Sequence, residues 1–179
     1  MATHCPIGIR PVVPAVVCWM LLSGIAYAGP GDNRELSESA ALREEFEQDN
    51  RAREFAWQQA NIARDEAQRG NRTAALERFK KALELAAQIQ ANRKRTTTLV
   101  HIATAQAEAG DTQGALQTAR SIQDIIERDN TLRTMALDRA KSGDADTATL
   151  FANVIQDNSK RKDVSSYIDA VRSAKTAGN

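Results

Sequence analysis

Cysteine is almost missing from the 179-residue sequence, and its two examples, Cys5 and Cys18, both fall within the first 28 residues. If that segment is removed, disulfides, thiol nucleophiles and cysteine metal sites are excluded together. Aromatic residues are equally sparse, at 4% against 42% apolar residues overall, so alanine and leucine must do most of the packing. An alanine-rich, charge-rich composition with helical periodicity favours closely packed helices over sheets, because small side chains let helix axes approach. Glycine and proline are scarce and sit mainly at boundaries. A charge excess is lacking too: the formal net charge is +1, and Arg10 is the only charged side chain before residue 29. The remainder sums to about zero, without the basic excess of a nucleic-acid or polyanion binder. The length fits one domain or one compact array.

The one long apolar run is N-terminal. Arg10 supplies a positive start, Val12 to Ile25 an apolar core, and Ala26-Tyr27-Ala28 a small-x-small cleavage site. Gly29-Pro30-Gly31-Asp32 then suits a processing junction. The expectation is a signal peptide cleaved after Ala28 and a mature chain in the periplasm or outside the cell. The alternative is an N-terminal membrane anchor, for which the run is short of the ~20 residues a spanning helix needs. Acylation at Cys18 is disfavoured, because Val17 stands where a small residue is required.

What is present is a repeat. Shifting residues 102–134 by 33 positions matches ten residues: Ala103/Ala136, Ala107/Ala140, Gly110/Gly143, Asp111/Asp144, Ala115/Ala148, Ala119/Ala152, Ile122/Ile155, Gln123/Gln156, Asp124/Asp157 and Arg128/Arg161. Alanines four apart give each helix one small-residue face. Gly110 and Gly143 suit helix C-termini, and Asp111 and Asp144 suit caps of the following helices. A Gly-Asp turn between two small-faced helices is an antiparallel helical hairpin. Upstream, Ile62-Ala63, Ala67 and Gly70-Asn71 open a hairpin of the same kind, with Ala75, Phe79 and Ala82 on its second helix.

The stretch Ala74-Ala75-Leu76-Glu77-Arg78-Phe79-Lys80-Lys81-Ala82-Leu83, preceded by Gly and a capping residue, resembles the tetratricopeptide repeat. The resemblance runs from about Trp57 to Asn179. Ala119 and Ala152 replace the usual aromatic, and no proline closes a unit, so the repeats are degenerate. The first unit is longer: Gly70 to Gly110 spans 40 residues, and the extra seven fall inside its second helix. Seven residues are two helical turns, so the apolar face is kept and a longer helix is expected near Thr73–Asn92. The fold class expected is all-α, a short α-solenoid of about three hairpin units plus a capping helix. Its parts are a signal over 1–28, a flexible linker over 29–34 and a helical repeat domain over 35–179. Within the last are an N-terminal segment (35–56), units at about 57–95, 96–128 and 129–161, and a cap over 163–177. The N-terminal segment reads as one long helix or two, with a break at Asp49-Asn50. The cap is polar on one side, as the end of a solenoid requires.

Motifs that carry chemistry are missing. His101 is the one histidine after residue 28, and no second histidine or cysteine accompanies it for a metal. No nucleophile elbow or phosphate-binding glycine loop occurs. Glu44, Glu45 and Glu47 read as a solvated face with pairs such as Glu47–Arg51. Arg93-Lys94-Arg95 and Lys160-Arg161-Lys162 occupy equivalent inter-unit positions and read as solvated surface. Asp124–Arg128 and Asp157–Arg161 read as weak i,i+4 ion pairs. No catalytic residue, cofactor or metal is expected.

The expected function is binding of a protein or peptide, with no nucleic acid involved. The resemblance implies a concave groove lined by the first helix of each hairpin. The lining positions are Trp57, Arg64 and Gln68, then Thr97, Thr104 and Glu108, then Arg133, Leu137 and Lys141. Trp57 is either a core plug or a ligand anchor. The alternative is a structural or oligomerisation element of an envelope complex, using the long helix Leu36–Gln59.

Overall fold

The computed structural model describes residues 32–177, which form seven helices and no strand. They are α1 (Asp32–Gln68), α2 (Arg72–Gln88), α3 (Asn92–Glu108), α4 (Thr112–Ser121), α5 (Ile125–Lys141), α6 (Ala145–Ala152) and α7 (Asn158–Ala177). The protein is an all-α solenoid of helical hairpins. Two compact units divide the chain between Leu42 and Arg43, and the repeat array belongs to the second. The expected signal segment, residues 1–28, lies outside the described residues.

α1 is one continuous helix of 37 residues, with no break at Asp49-Asn50. It begins at Asp32, so part of the expected linker is helical. From residue 36 to residue 48 its side chains are exposed. Further along, Ala56, Ala60 and Ala63 are fully buried, with half-buried Ala67 against the same cluster. Their spacing of 4, 3 and 4 is the seam a helix presents to a neighbour, and alanine lets that neighbour come close. Ala75, Phe79, Ala82 and Ala86 of α2, and Ile102 and Ala105 of α3, complete the cluster. A second cluster runs from Ala103 and Ala107 through α4, α5 and α6 to Val164 and Ile168 of α7.

Within each hairpin the turn is built as expected. Gly70, Gly110 and Gly143 adopt φ of 89°, 81° and 82°, a region that glycine enters without steric cost. Their N–H groups donate to Ala67, Ala107 and Ala140, and the next residues donate to Glu66, Gln106 and Arg139, closing the orphaned helix ends. Asp111 and Asp144 cap α4 and α6 by accepting from the N–H of Gly114 and Thr147. Asn71 instead donates to the Glu66 carboxylate at 2.6 Å. Gly114 makes room in the middle unit: a Cβ there would stand 2.1 Å from the Asp111 carboxylate and 2.5 Å from Gln106 Nε2. Gln106 also accepts a buried bond from the Thr118 hydroxyl at 2.7 Å.

The long second helix is present. α2 has 17 residues where α4 has 10, the expected difference of seven, although it ends at Gln88 rather than Asn92. The unit boundaries, however, stand about four residues earlier than the expected 96, 129 and 163. The reason lies in Asp124 and Asp157, which are helix caps rather than partners in i,i+4 ion pairs. Asp124 accepts from the N–H of Ile126 and Glu127, and Asp157 from those of Ser159 and Lys160. Helices α5 and α7 therefore start at once after them.

The turns between hairpins carry fastenings that the sequence reading missed. Asp49, deep in α1, accepts from the backbone N–H of Gln90 at 2.8 Å and Ala91 at 2.9 Å. Asp129 of α5 does the same for Gln156 at 3.1 Å and Asp157 at 2.8 Å. Both carboxylates are buried, with relative exposures of 4% and 1%. Burial works to raise the Asp49 carboxyl, but the two N–H donors and the charges of Lys94 and Arg95 outweigh it and hold its pKa below the usual value.

The basic clusters take part in the same joints, and are not merely solvated surface. Arg95 donates to the carbonyl of Ile89 and Arg161 to that of Ile155, each also holding an asparagine, Asn92 or Asn158. Lys94 reaches the Phe46 carbonyl and Lys160 the Asn130 side chain. Glu47 and Arg51 form no ion pair among the described residues.

Candidate functional site

The first helices of three successive hairpins, α1, α3 and α5, carry the candidate surface. On α1, Arg53, Trp57, Asn61, Arg64 and Gln68 recur every three or four residues and so form one row. The facing row on α3 is Thr97, His101, Thr104 and Glu108. Their spacing matches that of Trp57, Asn61, Arg64 and Gln68 at an offset of 40.

Trp57 is wedged between its neighbours rather than standing free. Its ring lies 5.2 Å from that of His101, tilted by 40°, and the Arg53 guanidinium carbon sits 5.3 Å from its centroid. Arg53 Nε and Trp57 Nε1 are buried without a hydrogen-bond partner. The tryptophan thus joins α1 to α3 while keeping one side partly open. His101 Nε2 lies 3.2 Å from Asn61 Oδ1. Next along the row, Arg64 Nη1 donates to Glu108 Oε2 at 3.2 Å, across the same pair of helices. With 31% and 50% of their side-chain surface exposed, this pair contributes little stability.

Burial lowers the His101 pKa, the Arg64 charge lowers it further, and Glu108 partly opposes them. A histidine depressed below its ordinary 6.5 is neutral in the fold, so protonation favours the unfolded chain as pH falls below that value. The melting temperature should therefore fall more between pH 7.5 and 5.5 in the parent than in His101→Gln. Equal slopes in thermal melts would contradict this.

Farther along the groove, a cavity of about 390 Å³ opens between the ends of the three helices. Gln68, Thr104, Glu108, Met135, Asp138 and Arg139 line it. Arg139 also donates to the Ala107 carbonyl, tying α5 to α3. Asp138 faces Lys141 at 3.4 Å.

Of the nine positions expected to line a groove, Trp57, Arg64, Gln68, Thr97, Thr104 and Glu108 come together on the α1–α3 rows. Thr97 and Thr104 turn their hydroxyls back onto the carbonyls of Lys94 and Val100. Arg133 and Lys141 are exposed on α5. Leu137 is half-buried and packs against the second core cluster. Asn61 and His101 were missed, although the spacing that placed Trp57 and Arg64 on one face puts Asn61 between them. Asp138 and Arg139 had no such signal, because their place depends on how α5 approaches α3.

Among the described residues no group of three or more His, Cys, Asp or Glu gathers as a metal would require, and no helix is long and apolar enough to cross a membrane. Comparison of the chain with protein-family models, curated proteins and solved structures returns no match.

Proposed function

We propose that this chain is an exported protein-binding module, with tetratricopeptide-like repeats, that receives a peptide or partner protein on the face formed by α1, α3 and α5. The observation that supports this reading is the continuous row Trp57, Arg64, Gln68, Thr104 and Glu108 on successive first helices, ending in the 390 Å³ cavity. Such a row offers an aromatic edge, hydrogen-bonding groups and both charges along one groove, as extended peptides need. Export rests on the Arg10, apolar-run and Ala26-Tyr27-Ala28 pattern. An N-terminal residue other than Gly29 in the purified protein would remove that part of the reading.

Site-specific photo-crosslinking in the producing cell tests the binding face. A photo-reactive residue at Gln68 or Arg133 should yield a discrete crosslinked product. The same residue at exposed Glu84 or Gln117, on the second helices, should not. Equal products from both faces, or products only from the second, would overturn the assignment.

A second reading is favoured by the exposure of Leu36 (61%), Leu42 (66%) and Phe46 (56%) on α1. Apolar side chains left in water on a helix suit self-association or attachment to a larger envelope assembly. A monomer by light scattering at high protein concentration would remove self-association.

A further inference from the structure

The three turns between hairpins are equivalent by repeat, yet only two of them are fastened. At the first, Asp49 holds Gln90 and Ala91; at the third, Asp129 holds Gln156 and Asp157. Gln90, Gln123 and Gln156 stand 33 residues apart, so the middle turn is Gln123-Asp124. The residue 33 before Asp129 is Thr96, whose short side chain carries no carboxylate. Among the described residues the Thr96 hydroxyl and the N–H groups of Gln123 and Asp124 make no hydrogen bond.

The Asp124 cap is kept, but the other fastenings are altered at the same turn. Lys94 and Lys160 are replaced by Glu127, an anion where the other two joints place a cation. Asn92 and Asn158 are replaced by Ile125, whose side chain is 55% exposed. Arg128, equivalent to Arg95 and Arg161, makes no bond to the Ile122 carbonyl. Beside this turn lies a cavity of about 590 Å³, lined by Asn92, Arg93, Thr96, Thr97, Gln123 and Glu127 among others, larger than the cavity of about 370 Å³ beside Asp49 and Gln90 at the first turn. Helices α3 and α4 also pack less extensively on α5 than α5 and α6 pack on α7.

We propose that the α4–α5 turn is a hinge. Arg43–Ser121, held by Asp49, and Ile125–Ala177, held by Asp129, move about it as two stiff halves. Hinges are short element-terminal segments that absorb backbone rotation between better-packed bodies. Ala103, Ala107, Ala115 and Leu116 of the first half share one core cluster with Leu132, Met135, Ala136 and Ala140 of the second, and Arg139 holds the Ala107 carbonyl across them. The halves therefore pivot on this seam, where the alanines allow small shifts without opening the core. Movement at this turn changes the spacing of α3 and α5, and with it the width of the Thr104–Met135–Asp138 cavity. The hinge does not depend on what the groove binds.

The test is a set of spin-label distance distributions on the full chain with Cys5→Ser and Cys18→Ser. One pair, Glu84→Cys with Gln117→Cys, spans the first turn; the other, Gln117→Cys with Leu150→Cys, spans the middle turn at the same repeat offset. All three sites are exposed. The middle pair should give a distribution about twice as broad or more. Thr96→Asp with Glu127→Lys, which restores the clamp and its cation, should narrow it to the width of the first pair. Equal widths for the two pairs in the parent would overturn the hinge whatever the variant does. A broad middle distribution that stays unchanged in a folded Thr96→Asp, Glu127→Lys protein, with Gln123 and Asp124 amides newly protected from exchange, would also overturn it.

Discussion

Asp129→Ala should lower the unfolding free energy by about 3 kcal/mol, the expected loss for two charge-assisted hydrogen bonds from a buried site. The carboxylate is 1% exposed, and its partners are backbone N–H groups at a turn, with no other acceptor. Removing it takes the acceptor from the N–H groups of Gln156 and Asp157 and loosens α7 from the array. Asp129→Asn should cost roughly half as much, because one carbonyl oxygen still accepts while the amide nitrogen opposes the second N–H. For an array of this size, a loss of about 3 kcal/mol corresponds to a melting temperature roughly 10 °C lower. Urea melts with an unchanged slope would give the free energy directly. A change under ~0.5 kcal/mol would mean the clamp is solvated rather than structural.

The second large effect should come from Phe151→Ala, at about 3–5 kcal/mol, the range for deleting a buried aromatic without collapse of the cavity. Phe151 is fully buried and is the largest side chain in the second core cluster. The cluster around it is mostly alanine, Ala115, Ala136, Ala140 and Ala148 among its members, and backbone-limited packing of this kind relaxes little around a void. Phe151→Leu should retain more than half of that stability. A loss below ~1.5 kcal/mol for the alanine variant would place the ring outside the core.

These two residues mark what the sequence made legible. The helix class, the Gly-Asp turns and the seven-residue extension of α2 followed from a period of 33, because local turn chemistry and helical spacing are both written in short stretches. Ala152 was read as lacking an aromatic. The ring is supplied by Phe151 one position earlier, and the alignment had no reason to look there. Asp49 and Asp129 were harder. They reach turns 41 and 27 residues downstream, and their spacings differ by fourteen because Asp49 stands two helical turns farther before its hairpin glycine and the glycine two turns farther before the next joint. A search at one fixed period misses such a pair. Arg95, Arg128 and Arg161 repeat at 33, but from sequence the nearest acid claims Arg128 and Arg161, and Arg95 reads as solvated surface. In the fold Asp124 and Asp157 are occupied as caps, and two of the arginines serve isoleucine carbonyls instead. The groove residues were partly legible for a simpler reason. A row at helical spacing defines a face from sequence alone, whereas Asp138, Arg139 and the half-buried state of Leu137 depend on the approach of α5.

Amide hydrogen exchange at six turn residues tests the joint pattern most directly. Buried aspartates join the repeat at its first and third turns and leave it open at the second. Gln90, Ala91, Gln156 and Asp157 should exchange at least about 100-fold more slowly than free amides, since opening them requires unfastening a hairpin. Gln123 and Asp124 should exchange within about tenfold of the free rate. Uniform protection at all three turns, or none at any, would contradict it.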